Sequence, residues 1–69
     1  MKISARNILK GTVKSVKHGA VNSEVVIQLP GGQEIVSVIT KNSAETLGLS
    51  ADKEAHAVIK ASEVMIATD

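Results

Sequence analysis

The stretch that decides the fold is Val21-Asn22-Ser23-Glu24-Val25-Val26-Ile27-Gln28-Leu29-Pro30-Gly31-Gly32-Gln33-Glu34-Ile35-Val36-Ser37-Val38-Ile39-Thr40. Val21, Ser23, Val25, Ile27 and Leu29 take one side; Asn22, Glu24, Val26 and Gln28 take the other. That is the period-two rhythm of a half-buried strand. Pro30-Gly31-Gly32 predicts a hairpin connection, and Gln33 to Thr40 the returning strand. The returning strand is apolar on both faces, Ile35 and Ile39 on one, Val36 and Val38 on the other. In so short a chain only one face can meet the chain's own core. The other needs cover, and a second subunit is the expected source.

Toward the N-terminus, Leu9, Gly11 and Val13 alternate with Lys10, Thr12 and Lys14, which predicts another half-buried strand. Val16 falls out of phase, so a bulge is expected near Lys14-Ser15. His18-Gly19-Ala20 is the break before the next strand. Beyond Thr40 the rhythm changes. Asn42 with Glu45 reads as a capping box and Gly48 as a helix stop, giving one short helix of about two turns. Ala51 to Lys53 is a turn. Glu54–Lys60 and Glu63–Ala67 read as two further strands, joined by Ala61-Ser62. Three strands, a helix and two strands make an all-β chain: a five-stranded OB-like Greek-key barrel with one short helix between strands 3 and 4. Residues 1–69 form a single expected domain, without repeat, linker or low-complexity segment.

Composition adds a constraint on assembly. Among 69 residues there are 9 Val, 8 Ala, 7 Ile, 4 Leu and 2 Met, but no Phe, Tyr, Trp or Cys. Neither rings nor disulfides support the core, and domains below about 70–80 residues rarely stabilise themselves without such help. Self-association is the remaining means. The net charge of +1 and the lack of stacking rings argue against a nucleic-acid partner. No run reaches membrane-spanning length and Met1-Lys2-Ile3-Ser4-Ala5-Arg6-Asn7 has no apolar stretch resembling a signal peptide, so the expected compartment is the cytoplasm.

No enzyme is visible. His18 and His56 have no carboxylate or second histidine at a ligand spacing, so no metal site is expected. Ser43 lacks the glycine elbow of a nucleophile. Three small elements suit an anion instead. Ser4-Ala5-Arg6-Asn7 holds the chain's one arginine, whose planar fork matches oxyanion oxygens, although a solvated terminus would read the same way. Lys60-Ala61-Ser62 offers a cation, a hydroxyl and free backbone N–H groups at a tight link. Thr40 and Ser43 stand at the helix start, where ordinary capping is the plainer account. A further low-weight candidate is Lys17, His18, Gly19, Ala20 and Asn22, otherwise a plain β-turn.

Taken together, Ser4-Ala5-Arg6-Asn7 with Leu9-Lys10-Gly11-Thr12-Val13, Gly19-Ala20-Val21-Asn22-Ser23-Glu24-Val25, Ile39-Thr40 through Ser43 to Leu47-Gly48-Leu49, and Lys60-Ala61-Ser62-Glu63-Val64-Met65 resemble the signature of the molbindins, the Mop family of molybdate-binding proteins. The resemblance spans residues 3 to 66. It implies an OB-like barrel assembled as a homo-hexamer, a trimer of dimers, with molybdate or tungstate held at subunit interfaces. Ser4 and Arg6 would come from one chain; Thr40, Ser43, Lys60, Ala61 and Ser62 would come from its neighbour. It implies no cofactor, and metal only inside the bound oxyanion. Two rivals remain: a nucleic-acid-binding OB module, and an excised ligand-sensing domain of a molybdate transporter or regulator. A chain starting at its own Met is expected to be free-standing instead.

Overall fold

The β-branched runs form one antiparallel sheet. The computed structural model describes residues 1–69 as β1 (Asn7–His18), β2 (Asn22–Gln28), β3 (Glu34–Thr40), α1 (Lys41–Thr46) and β4 (Glu54–Ile59), then a 3-10 turn at Ala61–Glu63. The sheet order is β3-β2-β1-β4. The long β1 serves two neighbours in succession, β4 from Asn7 to Thr12 and β2 from Thr12 to His18. The register with β2 shifts between Val13 and Ser15, the predicted bulge, which bends the strand where it changes partner.

Gly11 sits at that bend. A Cβ there would lie 2.6 Å from both the Gln28 carbonyl oxygen and Ile27 Cγ2, closer than side chains tolerate. Because one obstacle is backbone, relaxation is limited, and overpacking of this kind costs about 1–3 kcal/mol. Gly11→Ala is therefore expected to lower the denaturation midpoint measurably in urea. An unchanged midpoint would show that the β1–β2 crossing is looser than drawn.

The hairpin reads as expected: Leu29 N–H donates to the Gln33 carbonyl at 2.7 Å, and Gly31 and Gly32 both take positive φ. At the helix start the capping account of Thr40 with Ser43 holds and the Asn42 capping box does not. Thr40, not Asn42, is the cap: its extended backbone ends β3, and its hydroxyl accepts the Ser43 N–H at 3.0 Å. The stop at Gly48 stands. With φ of 65°, Gly48 donates to the Glu45 carbonyl while Leu49 donates to that of Ala44, the paired closure of a left-handed helix end.

The fifth strand is the main correction. Glu63–Ala67 forms no ladder; the 3-10 turn carries the chain past the end of β4, leaving Met65 92% and Ile66 85% exposed. A strand exists only where its N–H and C=O groups meet another edge, and this segment meets none within its own chain.

The core is correspondingly small: Val13, Val25, Ile27 and Ala57, flanked by half-buried Ile35, Ile39 and Leu49. Ser23 is buried at 1% exposure, with its hydroxyl on His18 Nδ1 at 2.6 Å. On the outer face of β3, Val36 and Val38 remain 61% and 65% exposed. The chain's accessible surface is 5453 Å², where a folded monomer of this mass exposes roughly 4,100 Å². Its radius of gyration of 12.6 Å exceeds the ~11 Å expected for the length. The fold is open.

Candidate oxyanion-binding site

The β1–β4 ladder places the first group of candidates. Partner numbers run from Thr12–Glu54 to Asn7–Ile59, and Asn7 Nδ2 donates to the Ile59 carbonyl at 3.2 Å. The ladder ends at that pair, with Ser4 and Arg6 just before β1 and Lys60 and the turn holding Ser62 just after β4. The two chain segments leave the sheet side by side and enclose a concavity of about 550 Å³, lined by Ile3, Ser4, Ala5, Arg6, Val58, Lys60, Ala61 and Ser62. One chain thus brings five of the seven main candidates to a single surface.

That surface carries two cations that take part in no ion pair. The ion pairs of the fold are Lys10–Glu54, at 3.2 Å, and Lys14–Glu34; neither involves Arg6 or Lys60. Two positive charges match a dianion, whose transfer from water is costly unless its charge is balanced and its oxygens are hydrogen-bonded. Ser4 and Ser62 add hydroxyls. The 3-10 turn uses the Glu63 and Val64 N–H groups internally, on the Lys60 and Ala61 carbonyls, which leaves the Ala61 and Ser62 N–H groups outside its bonds. Ile3, Ala5 and Val58, which the sequence reading did not single out, supply apolar walls. Their contribution was hidden because it depends on the pairing register of β1 with β4.

Thr40 and Ser43 lie elsewhere. They bond each other, Thr40 Oγ1 donating to Ser43 Oγ at 2.7 Å, and Thr40 pairs with Asn22. The Lys41 N–H donates to the Val21 carbonyl at 2.7 Å. The helix start therefore meets the turn holding His18, Gly19, Ala20 and Asn22, so the second candidate group and the Thr40–Ser43 pair share one end of the molecule. In that turn the Gly19 N–H already donates to the Asn22 carbonyl at 2.7 Å, and His18 engages Ser23. Lys17 pairs across the sheet with Glu24. The two groups occupy opposite ends of the twelve-residue β1. One chain cannot wrap both around one tetrahedral ion.

Residues 3–66 match the TOBE domain family. The chain is 50% identical over 66 residues to molybdenum-pterin-binding protein 3 of Clostridium pasteurianum, covering 96% of this chain and 97% of that protein. The chain belongs to the Mop family. Among solved Mop structures, MopII from Clostridium pasteurianum superposes with a TM-score of 0.92 at 46% identity, covering 97% of this chain and all of that one. The cytoplasmic molybdate-binding protein ModG matches with a TM-score of 0.85 at 54% identity, over 88% of this chain and 43% of its own. The OB-like reading of the architecture accords with these Mop folds, with four strands formed inside the single chain. No helix is long and apolar enough to cross a membrane, and no three His, Cys, Asp or Glu side chains cluster as a metal site.

Proposed function

We propose that this Mop-family chain binds molybdate, and its isostere tungstate, reversibly, and stores or buffers the anion in the cytoplasm. The observation that carries the reading is the concavity in which Arg6 and Lys60, free of carboxylate partners, stand beside Ser4 and Ser62. Arg6 supplies a two-pronged donor and Lys60 the second charge; the serine hydroxyls and turn N–H groups take the remaining oxygens. Oxygen already completes the metal's shell, so neither a metal–protein bond nor catalysis is needed. The site is completed in a homo-hexamer, a trimer of dimers, where Thr40 and Ser43 of one chain reach the concavity of another. The turn at Lys17–Asn22 is a second anion element at the opposite end.

Native mass spectrometry with and without molybdate tests assembly and ligand together. A hexamer that gains molybdate in whole-number steps is the expected result. A folded monomer at micromolar concentration would remove the interfacial site, and bound nucleic acid in place of the anion would overturn the reading. A second reading has support in the 48% identity to the molybdenum transport protein ModE of Azotobacter vinelandii, of which this chain covers 26%: the same module serving as the ligand-sensing part of a longer transporter or regulator. A hexamer formed by the 69-residue chain alone favours storage.

A further inference from the structure

Half of the eight residues that line the anion concavity are apolar: Ile3, Ala5, Val58 and Ala61. Ala61 has a backbone N–H outside the bonds of the 3-10 turn, but the side chains of Ile3, Ala5 and Val58 offer an anion no donor at all. Of these three, only Val58 is set in a strand. It belongs to β4 and stands two positions before Lys60, whose backbone is also extended, so the two side chains take the same side of the chain. Val58 also borders the groove lined by Val25, Ile27, Ile39 and Leu49. The wall beside Lys60 is therefore continuous with the apolar interior.

We propose that Val58, together with Ile3, sets the selectivity of the concavity: this wall withholds water from the bound oxyanion and so favours a larger, weakly hydrated tetrahedral dianion over a smaller one. The inference rests on the oxyanion reading of the site and adds what the cations cannot supply. Arg6 and Lys60 attract any dianion. Two dianions of equal charge differ chiefly in radius, and the continuum cost of stripping water from an ion falls as its radius grows. Where a wall gives no hydrogen bond in exchange, molybdate therefore loses less than sulfate. Low polarity also strengthens the pull of the two cations, but on both anions. Selection by volume alone carries a different expectation. It would be indifferent to threonine in place of valine, which keeps the branched shape and exchanges one methyl for a hydroxyl.

The test is titration calorimetry of the full chain with molybdate, selenate and sulfate at one ionic strength. In Val58→Thr the ratio of molybdate to sulfate affinity should fall about tenfold, the scale on which one group in a pocket wall changes discrimination. Selenate, of intermediate size, should fall between the two. Ile3→Thr should lower the ratio in the same direction, and because Ile3 precedes β1 this variant disturbs no ladder. Ile8→Thr is the control. Ile8 pairs with Val58 and is equally exposed, 40% against 39%, but it does not line the concavity, so the ratio should stay that of the unaltered chain. An unchanged ratio in either wall variant overturns the proposal, and so does an equal fall in Ile8→Thr. An unaltered chain that binds none of the three anions removes the oxyanion reading itself, and this proposal with it. Selective binding of molybdate by the unaltered chain with no change in the wall variants overturns the proposal alone.

Discussion

Replacing Arg6 with alanine is expected to weaken molybdate binding by about ten- to a hundredfold, the equivalent of losing a charge-assisted hydrogen bond of about 1.5–3 kcal/mol. Lys60 then remains the only nearby counter-charge for a dianion. Arg6→Lys should fall between, because a point charge replaces a planar fork whose two donors span two oxygens. Asn7 and Ile59 anchor this end of the sheet through backbone pairing and the Asn7 amide, and neither substitution touches them. The loss should therefore come without unfolding. Titration calorimetry decides the matter: unchanged affinity in Arg6→Ala, with fold and assembly state unaltered, removes Arg6 from the site.

The second large effect is on stability. An anion held by groups from more than one chain binds the folded assembly and has almost no affinity for separated, unfolded chains. Each site then adds about 2.7 kcal/mol when free ligand is a hundred times its dissociation constant, and equivalent sites multiply the effect. The midpoint of thermal unfolding should rise steeply with molybdate. Relief of repulsion adds to the rise, since Arg6 and Lys60 share one concavity with no carboxylate paired to either. Sulfate at equal ionic strength should raise the midpoint far less, because donors placed for the larger tetrahedron cannot all close on the smaller. Equal shifts from the two anions would identify a general electrostatic effect and end the claim of a molybdate-specific site.

Much of this architecture is legible in local patterns. The alternation through Val21–Leu29, the Pro30-Gly31-Gly32 reversal and the phase slip after Val13 each report one residue's exposure relative to its neighbours. All three recur in the structure. Of the two cap readings the sequence offers, Asn42 with Glu45 satisfies a local spacing rule, whereas Thr40 wins by position: it is the last residue of β3, and its hydroxyl faces the Ser43 N–H. The candidate residues Ser4, Arg6, Lys60, Ala61 and Ser62 were recognisable by chemical type and by resemblance, but their meeting was not. It follows from the pairing of Asn7 with Ile59, 52 positions apart.

The sequence by itself determined the strand rhythm, the ring-free and cysteine-free core, the doubly apolar third strand and the family. These are properties of side chains read against a fixed backbone period. Only the tertiary structure decided which edges are paired. Glu63–Ala67 has the composition of a strand and lacks the neighbour that would make it one, because hydrogen bonds between strands join residues distant in sequence. The same pairing moved Thr40 and Ser43 to the far end of β1 from Arg6 and Lys60, since a strand of twelve residues holds its two ends apart.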